Sequence, residues 1–547
     1  MNRLTRTLFV LVAICFPIVP TIADEFPSEL KGQTAAQLQK FLNRAPAENM
    51  IVDDIRVRAT RTRILFDASF QANDDQTAWT IQTNIDNRTL KKSDADLQMK
   101  GYKQAFVRSV RFGGKTYYTA VWKKSVTSAE IPLVIPAGPV PVSGTDDRAF
   151  VPIDDMLKSF ITQHNVAGAT LAITRNGRVL YSRGFGYSDV PEKTEMAPDA
   201  AMRIASISKP MTAVAILTLV ERGKLQLDDA VLPILQRDGY PRLKSSADQR
   251  WNQITVRHLL QHSAGFDRSV SSDPMFEVGE VTQLYGLRRL ANTKDLIRHE
   301  MTQQLDFDPG QRYAYSNIGY CILGRVIESV AGMPYDEFVA ENILKPSGMV
   351  NTYQGKTRLE DRGEGEVRYH MQKKTMHVPV WSTVKKGSRR AASLPAILPE
   401  VEAPYGRWDL EVMDSHGAWV STAPDLVRMI CQLEDSEAPL LSEASLETML
   451  ARPLLAAPVS DSTWYGCGWQ VRPRGAVEDR LDGHNIWHSG AIAGTSTLLV
   501  RRWDGFSWAV LFNTDRSKNG NRLSGLIDPM IHKAVDAVDW PETTETP

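Results

Sequence analysis

The sequence predicts a mixed α and β protein in which a small α+β domain precedes a larger domain. Its 547 residues are enough for roughly two to four domains, each with its own hydrophobic core. In the first part of the chain, segments that alternate polar and apolar residues flank a segment with helical spacing. A proline-rich stretch, residues 125–147, then separates this part from the remainder and predicts a linker.

The composition is that of a folded, water-soluble protein. Hydrophobic residues make up 42% and charged residues 23%, while 35 glycines and 30 prolines are too few for a collagen-like or low-complexity chain. The 64 basic residues balance the 64 acidic residues, so there is no net charge to attract a polyanion. We therefore expect no nucleic-acid partner.

The first 23 residues predict a signal peptide. Two arginines precede an apolar run over residues 8–22, and Thr21-Ile22-Ala23 offers small residues for cleavage before Asp24. The alternative is an uncleaved anchor, but two prolines break a run that is already shorter than the roughly 20 residues of a spanning helix. We expect an exported protein, periplasmic or secreted, without a stable membrane span after cleavage.

The cysteines and histidines indicate neither a disulfide framework nor a metal site. After cleavage three cysteines remain, and none lies in a C-x-x-C pattern, so buried free thiols are expected (Cys321, Cys431 and Cys467). No H-E-x-x-H motif occurs among the ten histidines. We predict no metal and no cofactor.

Residues 24–124 predict the small α+β domain. Its expected elements are a hairpin at Gly113-Gly114 over residues 106–122, a strand pair over 63–70 and 77–85, and a helix over 90–102. The strand ends Thr77-Ala78-Trp79 and Thr119-Ala120-Val121-Trp122 resemble each other and suggest an internal repeat.

Residues 148–547 predict the second domain. It opens with helical spacing of apolar residues over 153–161, followed by two strands over 168–186 that turn at Asn176-Gly177. The segment that carries the most chemical information comes next. Ser206 and Lys209 stand three residues apart before Pro210, which is tolerated only in the first turn of a helix, so a helix is expected to start near Ser206.

This spacing places Ser206 and Lys209 on one helix face, where an ammonium group lowers the cost of an alkoxide. Taken alone, the pattern is short, and Ser206 could equally be a helix cap with Lys209 in solvent. Further along, Tyr315 could be a general base if a cation stabilises its phenolate, and Asn317 could orient that base or hold a substrate carbonyl. The alternative is a turn with core tyrosines.

Near the end of the chain, His488-Ser489-Gly490-Ala491 lies on the first strand of a predicted pair with one open edge. The order Ser-x-x-Lys, Tyr-x-Asn, His-x-Gly resembles the serine β-lactamase and penicillin-binding superfamily, in its class C and D,D-peptidase/esterase branch. The resemblance covers about residues 150–538. It extends to four connecting segments, which are residues 223–229, 254–265, 307–310 and 465–469.

The resemblance implies an α/β (α+β) sandwich, in which an antiparallel sheet is flanked by helices and a helical subdomain borders the site. It also implies the roles of the site residues. These are Ser206 as nucleophile, Lys209 as activating cation, Tyr315 as base and leaving-group acid, Asn317, His488, Ser489 and Gly490 in substrate binding, and the backbone N–H groups of Ser206 and Ala491 as oxyanion hole.

One departure from the family concerns the substrate. Its β-lactamases usually carry Lys-Thr-Gly where this chain has His488-Ser489-Gly490, a pattern similar to esterase and aminopeptidase members. A histidine with a pKa near 6.5 is largely neutral at pH 7, which argues against efficient hydrolysis of carboxylate-bearing β-lactams. Protonation of His488 is then expected to favour such substrates as the pH falls, unless His488 packs in the core.

Two other segments have open interpretations. Residues 355–406 form a basic insertion that either covers the cleft as a lid or, as the favoured interpretation, extends into solvent. The first domain, around Gly101-Tyr102 and the strand ending at Trp122, is similar to repeats that precede the catalytic domain of polyglycine hydrolases. That resemblance implies a polypeptide substrate, and the alternative is an appendage that stabilises the fold.

The sequence as a whole predicts an exported serine hydrolase that acylates Ser206 and acts on a peptide, ester or cell-wall-derived substrate. One alternative is a true class C-type β-lactamase. Another is a catalytically silent peptidoglycan-binding protein on the same fold. An α/β-hydrolase is excluded because no G-x-S-x-G motif occurs. The natural substrate and the oligomeric state stay open.

Overall fold

The computed structural model of the chain contains two compact units, divided between Ile131 and Pro132. It describes residues 26–45, 48–73, 77–99, 102–124, 131–144, 146–374, 376–377, 379–383, 401–435, 437–474 and 483–540. The predicted signal peptide, residues 1–23, lies outside the described residues. In the part of the chain just defined, no helix combines the length and apolar character needed to span a membrane.

The first unit consists of two βαββ segments with the same strand order. The elements are β1 (Glu29–Gln33), α1 (Ala35–Arg44), β2 (Met50–Ala59), β3 (Ile64–Ala72), β4 (Ala78–Ile85), α2 (Asn87–Met99), β5 (Lys103–Phe112) and β6 (Lys115–Lys124). Each segment forms an antiparallel three-stranded sheet, with order β1-β3-β2 in the first and β4-β6-β5 in the second. In both sheets the last strand along the chain is therefore the central strand.

Several sequence predictions for this unit agree with the structure. The hairpin at Gly113-Gly114 forms between β5 and β6, and α2 covers most of the predicted helix. The predicted pairing of 63–70 with 77–85 is wrong, because β3 pairs with β1 and β2 whereas β4 pairs with β6. The two resembling strand ends are not equivalent repeat positions either, since Thr80 faces Trp122 across β4 and β6 of one sheet.

The second unit is built around a nine-stranded antiparallel sheet with order β11-β10-β9-β22-β21-β20-β19-β18, to which β8 is added beside β10. The strands from the division onward are β7 (Ile131–Pro132), β8 (Val142–Gly144), β9 (Gly168–Arg175), β10 (Arg178–Asp189), β11 (Thr194–Glu195), β12 (Met202–Arg203), β13 (Tyr353–Gln354), β14 (Lys373–Lys374), β15 (Met376–His377), β16 (Val401–Glu402), β17 (Trp419–Ser421), β18 (Trp464–Tyr465), β19 (Gln470–Pro473), β20 (His484–Ile492), β21 (Thr495–Arg501) and β22 (Phe506–Phe512).

The helices of the second unit lie between and around these strands. They are α3 (Val151–His164), α4 (Ser208–Glu221), α5 (Val231–Arg237), α6 (Val256–Leu260), α7 (Val278–Leu284), α8 (Thr293–Glu300), α9 (Asn317–Ala331), α10 (Tyr335–Val339), α11 (Asp414–Gly417), α12 (Ala423–Glu434), α13 (Glu443–Leu450) and α14 (Leu523–Asp536). Helices α4 to α13 lie in the sequence between the two halves of the large sheet.

Both faces of the central strands are buried, as the sandwich requires. On β22, Trp508 and Val510 pack with α3 and α14, whereas Ala509 and Leu511 pack in the cluster that contains α4 and α12. This alternation follows from the two-residue period of a strand, so a continuous apolar run serves two helical layers. The α/β sandwich expected from the resemblance is confirmed.

Part of the predicted linker belongs to the large sheet. Within residues 125–147, β8 pairs with β10 as an additional strand of the large sheet. The ring of Pro198 and the backbone of Ser182 lie within 3.0 Å of the position a Cβ would take on Gly144, at the end of β8. The last part of the stretch thus belongs to the second unit.

Candidate active site

Ser206 lies in a short 3₁₀ turn, Ala205–Ile207, that leads into α4. Its predecessor Ala205 has a φ of 47°, in the left-handed region that disfavours a residue with a Cβ. Ser208 fixes this turn because its Oγ donates to the Ala205 carbonyl at 2.7 Å. The side chain of Ser206 is partly exposed at the point where the turn meets the sheet.

The turn is attached to the sheet through backbone carbonyls. Thr497 on β21 donates from its Oγ1 to the Ile204 carbonyl at 3.0 Å, and Thr495 donates to the Arg203 carbonyl at 3.0 Å. On the neighbouring strand β20, Gly490 faces Thr497 and lies so close to the turn that a Cβ there would stand 2.1 Å from the Ile204 carbonyl oxygen. A glycine at this position therefore allows the strand to approach the turn that carries Ser206.

The structure brings together four residues that the sequence singled out. The Tyr315 hydroxyl donates to Ser206 Oγ at 2.8 Å, and Lys209 Nζ lies 3.2 Å from the same oxygen. Lys209 Nζ also donates to Asn317 Oδ1 at 2.8 Å and to the His416 carbonyl at 2.9 Å. Ser206 is thus in contact with both groups that could exchange a proton with it.

Burial disfavours the charged form of Lys209. Its side chain is fully buried, which is the main reason that its pKa lies well below its usual value of 10.5. The positive charge of Arg268 lowers the pKa further, while Asp273 acts in the opposite direction. The two N–H bonds of a neutral amine match the acceptors on Asn317 and His416, which leaves the amine lone pair directed at the Ser206 hydroxyl.

Burial also favours the neutral form of Tyr315. The pKa of its phenol is raised above the usual value of 10 because the ring is fully buried, although the hydrogen bond to Ser206 and the charge of Arg268 oppose this. The ring lies 4.4 Å from the His262 ring, between centroids. At neutral pH the resting site therefore holds a protonated tyrosine beside a lysine that readily loses its proton.

Asn317 is held by two internal hydrogen bonds. It is the first residue of α9, and Ser316 caps the helix by accepting from the Gly319 N–H. The Asn317 side-chain amide donates to Asp273 Oδ2 at 2.6 Å, while its oxygen accepts from Lys209. Because both ends of the amide are engaged inside the protein, the geometry favours orientation of Lys209 over a direct substrate contact.

His488 is buried on β20 and uncharged. Its Nδ1 donates to the Ser489 carbonyl at 2.8 Å, which leaves Nε2 to accept from the Tyr465 hydroxyl at 3.1 Å. Burial, together with the charge of Lys209, lowers the pKa of His488 to about 3. Of the two interpretations of His488, the structure favours packing in the core over protonation in the ordinary histidine range, because a charged imidazole would be desolvated beside a second potential cation.

The open edge predicted for β20 is present next to Ser206. Pairing with β19 ends at Trp487, and among the described residues the segment 488–492 pairs only with β21. Ser489 is half-buried and Ala491 exposed on this segment. Backbone N–H and C=O groups along such an edge are available to an extended substrate.

Five residues of the site were not assigned a role from the sequence. These are His262, Arg268, Asp273, His416 and Tyr465. His262 and Tyr465 belong to segments 254–265 and 465–469, whose resemblance to the family was a signal that could have been followed to single residues. Asp273 and His416 carry no such signal, because one acts on Asn317 and the other contributes a backbone carbonyl.

The described part of segment 355–406 contacts Arg203, which lies shortly before the turn that carries Ser206. Arg203, which is 2% exposed, donates to the Pro404 carbonyl at 2.5 Å and to the Lys356 carbonyl at 2.7 Å. Its backbone N–H donates to the Tyr369 hydroxyl at 2.8 Å. The favoured interpretation of a solvent-exposed excursion is wrong for these residues. Residues 384–400, which contain part of the basic run, lie outside the described residues.

The described residues show no group of His, Cys, Asp and Glu side chains arranged to hold a metal ion. Cys321 and Cys467 are buried free thiols, and Cys431 is a half-buried one. The polar side chains around Ser206 bond to one another instead, as the contacts above describe. Such an arrangement can transfer protons to and from a serine hydroxyl.

The sandwich and this cluster define a member of the serine β-lactamase and penicillin-binding superfamily. A family model described as Beta-lactamase matches residues 153–528, more than half of the chain, and the chain belongs to that family. The match begins at residue 153, so the similarity of the first domain to polyglycine hydrolases stays a prediction.

Similar proteins and structures are spread over several bacterial species. "Protein flp" of Staphylococcus aureus (strain MW2) is 29% identical over 349 residues, which are 64% of this chain and 59% of that protein. "Penicillin-binding protein 4*" of Bacillus subtilis (strain 168) is 28% identical over 344 residues, which are 62% of this chain and 66% of that protein. The chain thus spans about three fifths of the length of the first of these relatives.

Among solved structures, D-amino acid amidase from Ochrobactrum anthropi SV3, complexed with D-phenylalanine, is 21% identical with a TM-score of 0.52. The similarity covers 71% of this chain and 99% of that one. The D-stereospecific amidohydrolase from Streptomyces sp. is 24% identical with a TM-score of 0.50, over 71% of this chain and 98% of that one. At these identities the likeness shows a common fold.

Proposed function

We propose that the protein is an exported serine hydrolase that forms an acyl-enzyme on Ser206 and hydrolyses an amide or ester bond. The observation that carries the proposal is the pair of contacts to Ser206 Oγ, with Tyr315 at 2.8 Å and Lys209 at 3.2 Å. A partly exposed hydroxyl with a buried amine on one side and a phenol on the other is arranged for nucleophilic attack. Export rests on the predicted signal peptide, residues 1–23.

In acylation, the neutral amine of Lys209 accepts the Ser206 proton as Oγ attacks the substrate carbonyl. The resulting oxyanion accepts hydrogen bonds from the backbone N–H groups of Ser206 and Ala491, donors whose loss typically costs about a hundredfold or more in rate. Tyr315 then gives its phenol proton to the leaving nitrogen or oxygen as the bond to it breaks. The proton that Lys209 accepted from Ser206 then passes to Tyr315, so both Lys209 and Tyr315 are neutral in the acyl-enzyme.

Deacylation follows the same path with water in the place of the leaving group. Lys209 or Tyr315 removes a proton from water as it attacks the ester carbonyl, and the proton returns to Ser206 Oγ as the acyl bond breaks. In this proposal Lys209 is the proton acceptor, and Tyr315 acts first as an acid. The reasons are the lowered pKa of Lys209 and the raised pKa of Tyr315, both caused by burial.

The proposed substrates are peptides, esters or fragments derived from the cell wall. A relative named as a penicillin-binding protein directs the first assays to penicillins and to amides related to them. The low pKa of His488 argues against a strand cation for substrate carboxylates, which favours an ester or amide substrate over a carboxylate-bearing β-lactam.

The experiment compares the wild type with Ser206→Ala on a panel of uncharged esters, peptide amides and a chromogenic cephalosporin. We expect wild-type turnover of an ester or amide, slow or absent hydrolysis of the cephalosporin, and loss of all turnover in the variant with an unchanged melting temperature. Equal turnover by both proteins would contradict the proposal. Tight binding of peptidoglycan fragments without any turnover would instead indicate the silent binding protein.

A further inference from the structure

Arg268 is an exposed cation placed against the ring of Tyr315. Its guanidinium carbon lies 4.7 Å from the centroid of that ring, and Lys209 Nζ lies 4.8 Å from the same centroid. Both distances are within the range of a cation–π contact. Arg268 is exposed to solvent, whereas Lys209 is fully buried. The phenol ring that contacts Ser206 therefore has one exposed and one buried cationic side chain beside it.

No carboxylate among the described residues forms an ion pair with the Arg268 guanidinium. Its neighbour Asp267 is already engaged, since it accepts from Arg312 at 2.7 Å and from the Ser269 N–H at 3.0 Å. Among the described residues, Arg268 itself makes neither an ion pair nor a hydrogen bond. An arginine keeps its positive charge, so it changes the balance between the charged and neutral forms of the ionisable groups nearest to it.

We propose that Arg268 is an electrostatic positioning residue that keeps the proton off Lys209 and eases its release from Tyr315. The inference rests on the proposed function, because it assigns a direction to the proton transfers in that scheme. A positive charge beside the ring opposes a second positive charge on Lys209 and favours a negative charge on Tyr315. Acylation needs both effects, since the amine must be free to accept a proton and the phenol must donate one.

Other ionisable groups face this pair from every surrounding element. They are Asp273 before the 274–276 turn, His262 after α6, Tyr313 in the loop before α9, Tyr320 on α9, His416 on α11, Tyr465 on β18 and His488 on β20. Burial raises the pKa of each tyrosine and lowers the pKa of each histidine, so these groups stay uncharged near neutral pH. Asp273 accepts a hydrogen bond from Asn317 and raises the pKa of Lys209 by more than Arg268 lowers it.

The position of Arg268 also compensates for the residue found on β20. In the family pattern with Lys-Thr-Gly, a strand lysine stands at position 488, where this chain has a buried neutral histidine. The described site therefore has a positive charge on the turn after α6 instead of on the strand. The charge of Arg268 lowers the pKa of Lys209 and of Tyr315, in each case as a smaller contribution than burial.

The experiment measures kcat/KM against pH, from about pH 5 to pH 10, for an uncharged amide or alkyl ester that the wild type hydrolyses. The variants are Arg268→Gln, which removes the charge, and Arg268→Lys, which keeps it. Arg257→Gln is the control, because Arg257 is a half-buried arginine that already pairs with Asp228 at 2.8 Å. A free-enzyme pH profile reports the protonation states that the mechanism needs.

In Arg268→Gln we expect both limbs of the profile to move to higher pH, since Lys209 and Tyr315 each hold their proton more firmly. On the acid limb kcat/KM should fall about threefold to tenfold, a modest factor because Arg268 is exposed and screened by water. Arg268→Lys should restore most of the wild-type profile, and Arg257→Gln should leave it unchanged. The difference should shrink at about 1 M salt, where exposed charges are screened over short distances.

Two results would overturn the inference. If Arg268→Gln loses kcat/KM only on a matched substrate that carries a carboxylate, with both limbs unmoved, then Arg268 binds an anionic substrate. If kcat/KM falls equally at every pH together with the melting temperature, then Arg268 only supports the fold. A wild type that never acylates Ser206 would overturn the proposed function as well, whereas wild-type turnover with unmoved limbs overturns this inference alone.

Discussion

A methyl group added at Gly490 tests how closely β20 must approach the turn that carries Ser206. In Gly490→Ala the new Cβ would stand 2.1 Å from the Ile204 carbonyl oxygen and 2.3 Å from Thr497 Oγ1. Ordinary carbon–oxygen contacts are about 3.3 Å, so the strand or the turn must move by about 1 Å. A backbone carbonyl cannot rotate away as a flexible side chain would.

The displacement has two consequences of different size. Overpacking in a tight site costs about 1–3 kcal/mol in the free energy of unfolding. A misplacement of about 1 Å between a nucleophile and its partners costs about a hundredfold in rate. We therefore expect Gly490→Ala to fold with a lowered melting temperature, and to lose far more activity than stability.

The assay combines thermal unfolding with the rate of labelling by a fluorophosphonate, which reports attack by Ser206 in a single step. Gly525→Ala is the matched control, since Gly525 lies within α14 and a methyl group added there would have no neighbouring atom within 4 Å. That control should be as stable as the wild type or slightly more stable, because alanine stabilises a helix by about 1 kcal/mol relative to glycine. A Gly490→Ala protein that labels within twofold of the wild-type rate would refute the reasoning.

Two further variants test the proton transfers and the buried histidine. Tyr315→Phe should slow hydrolysis of an amide about a hundredfold or more, but that of a p-nitrophenyl ester much less, because only the amide leaving group needs a proton. Equal losses on both substrates, measured by kcat, would remove Tyr315 from the role of leaving-group acid. The pKa of His488 is about 3 in the folded protein and near 6.5 in the unfolded chain. Between these two pH values the unfolded chain binds one more proton than the folded protein, so the free energy of unfolding falls as the pH falls. Lowering the pH from 6.5 to 5 should therefore reduce the free energy of unfolding by about 2 kcal/mol through His488. Urea unfolding of His488→Gln should not show this loss. An identical pH dependence of both proteins would contradict the burial of a neutral imidazole.

Local sequence patterns predicted elements whose partners are close in the chain. The helix at 153–161, the strand pair around Asn176-Gly177 and the hairpin at Gly113-Gly114 each depend on spacing and turn residues within one segment. The pairing of β3 with β4 was wrong because the same alternation is compatible with any neighbour, and only the whole sheet decides which strand is adjacent.

At the site, the sequence could propose which residues meet but not their charge. Ser206, Lys209 and Tyr315 follow from motif order, and the structure places Lys209 Nζ and the Tyr315 hydroxyl within 3.2 Å of Ser206 Oγ. The charge states of these side chains depend on burial by segments that are far apart in the chain. Lys209, for example, is buried and donates to the carbonyl of His416. His488 shows the same limit, since its ordinary pKa applies only to a residue in water.

Segment 355–406 could not be interpreted from composition because its anchor is a single distant side chain. Arg203 binds the carbonyls of Lys356 and Pro404, and a run of basic residues gives no sign of this contact. Arg268 is a comparable case, since nothing in its local sequence distinguishes it from other surface arginines until its place over the Tyr315 ring is known.

The most direct test of the central claim is to locate the covalent adduct formed on the wild-type protein. Intact-mass spectrometry after incubation with a fluorophosphonate should show one added group, and peptide sequencing should assign it to Ser206. The Lys209→Ala protein should carry the same adduct only after a much longer incubation, because the proton acceptor is missing. An adduct that persists in Ser206→Ala, or that maps to another residue, would contradict the account.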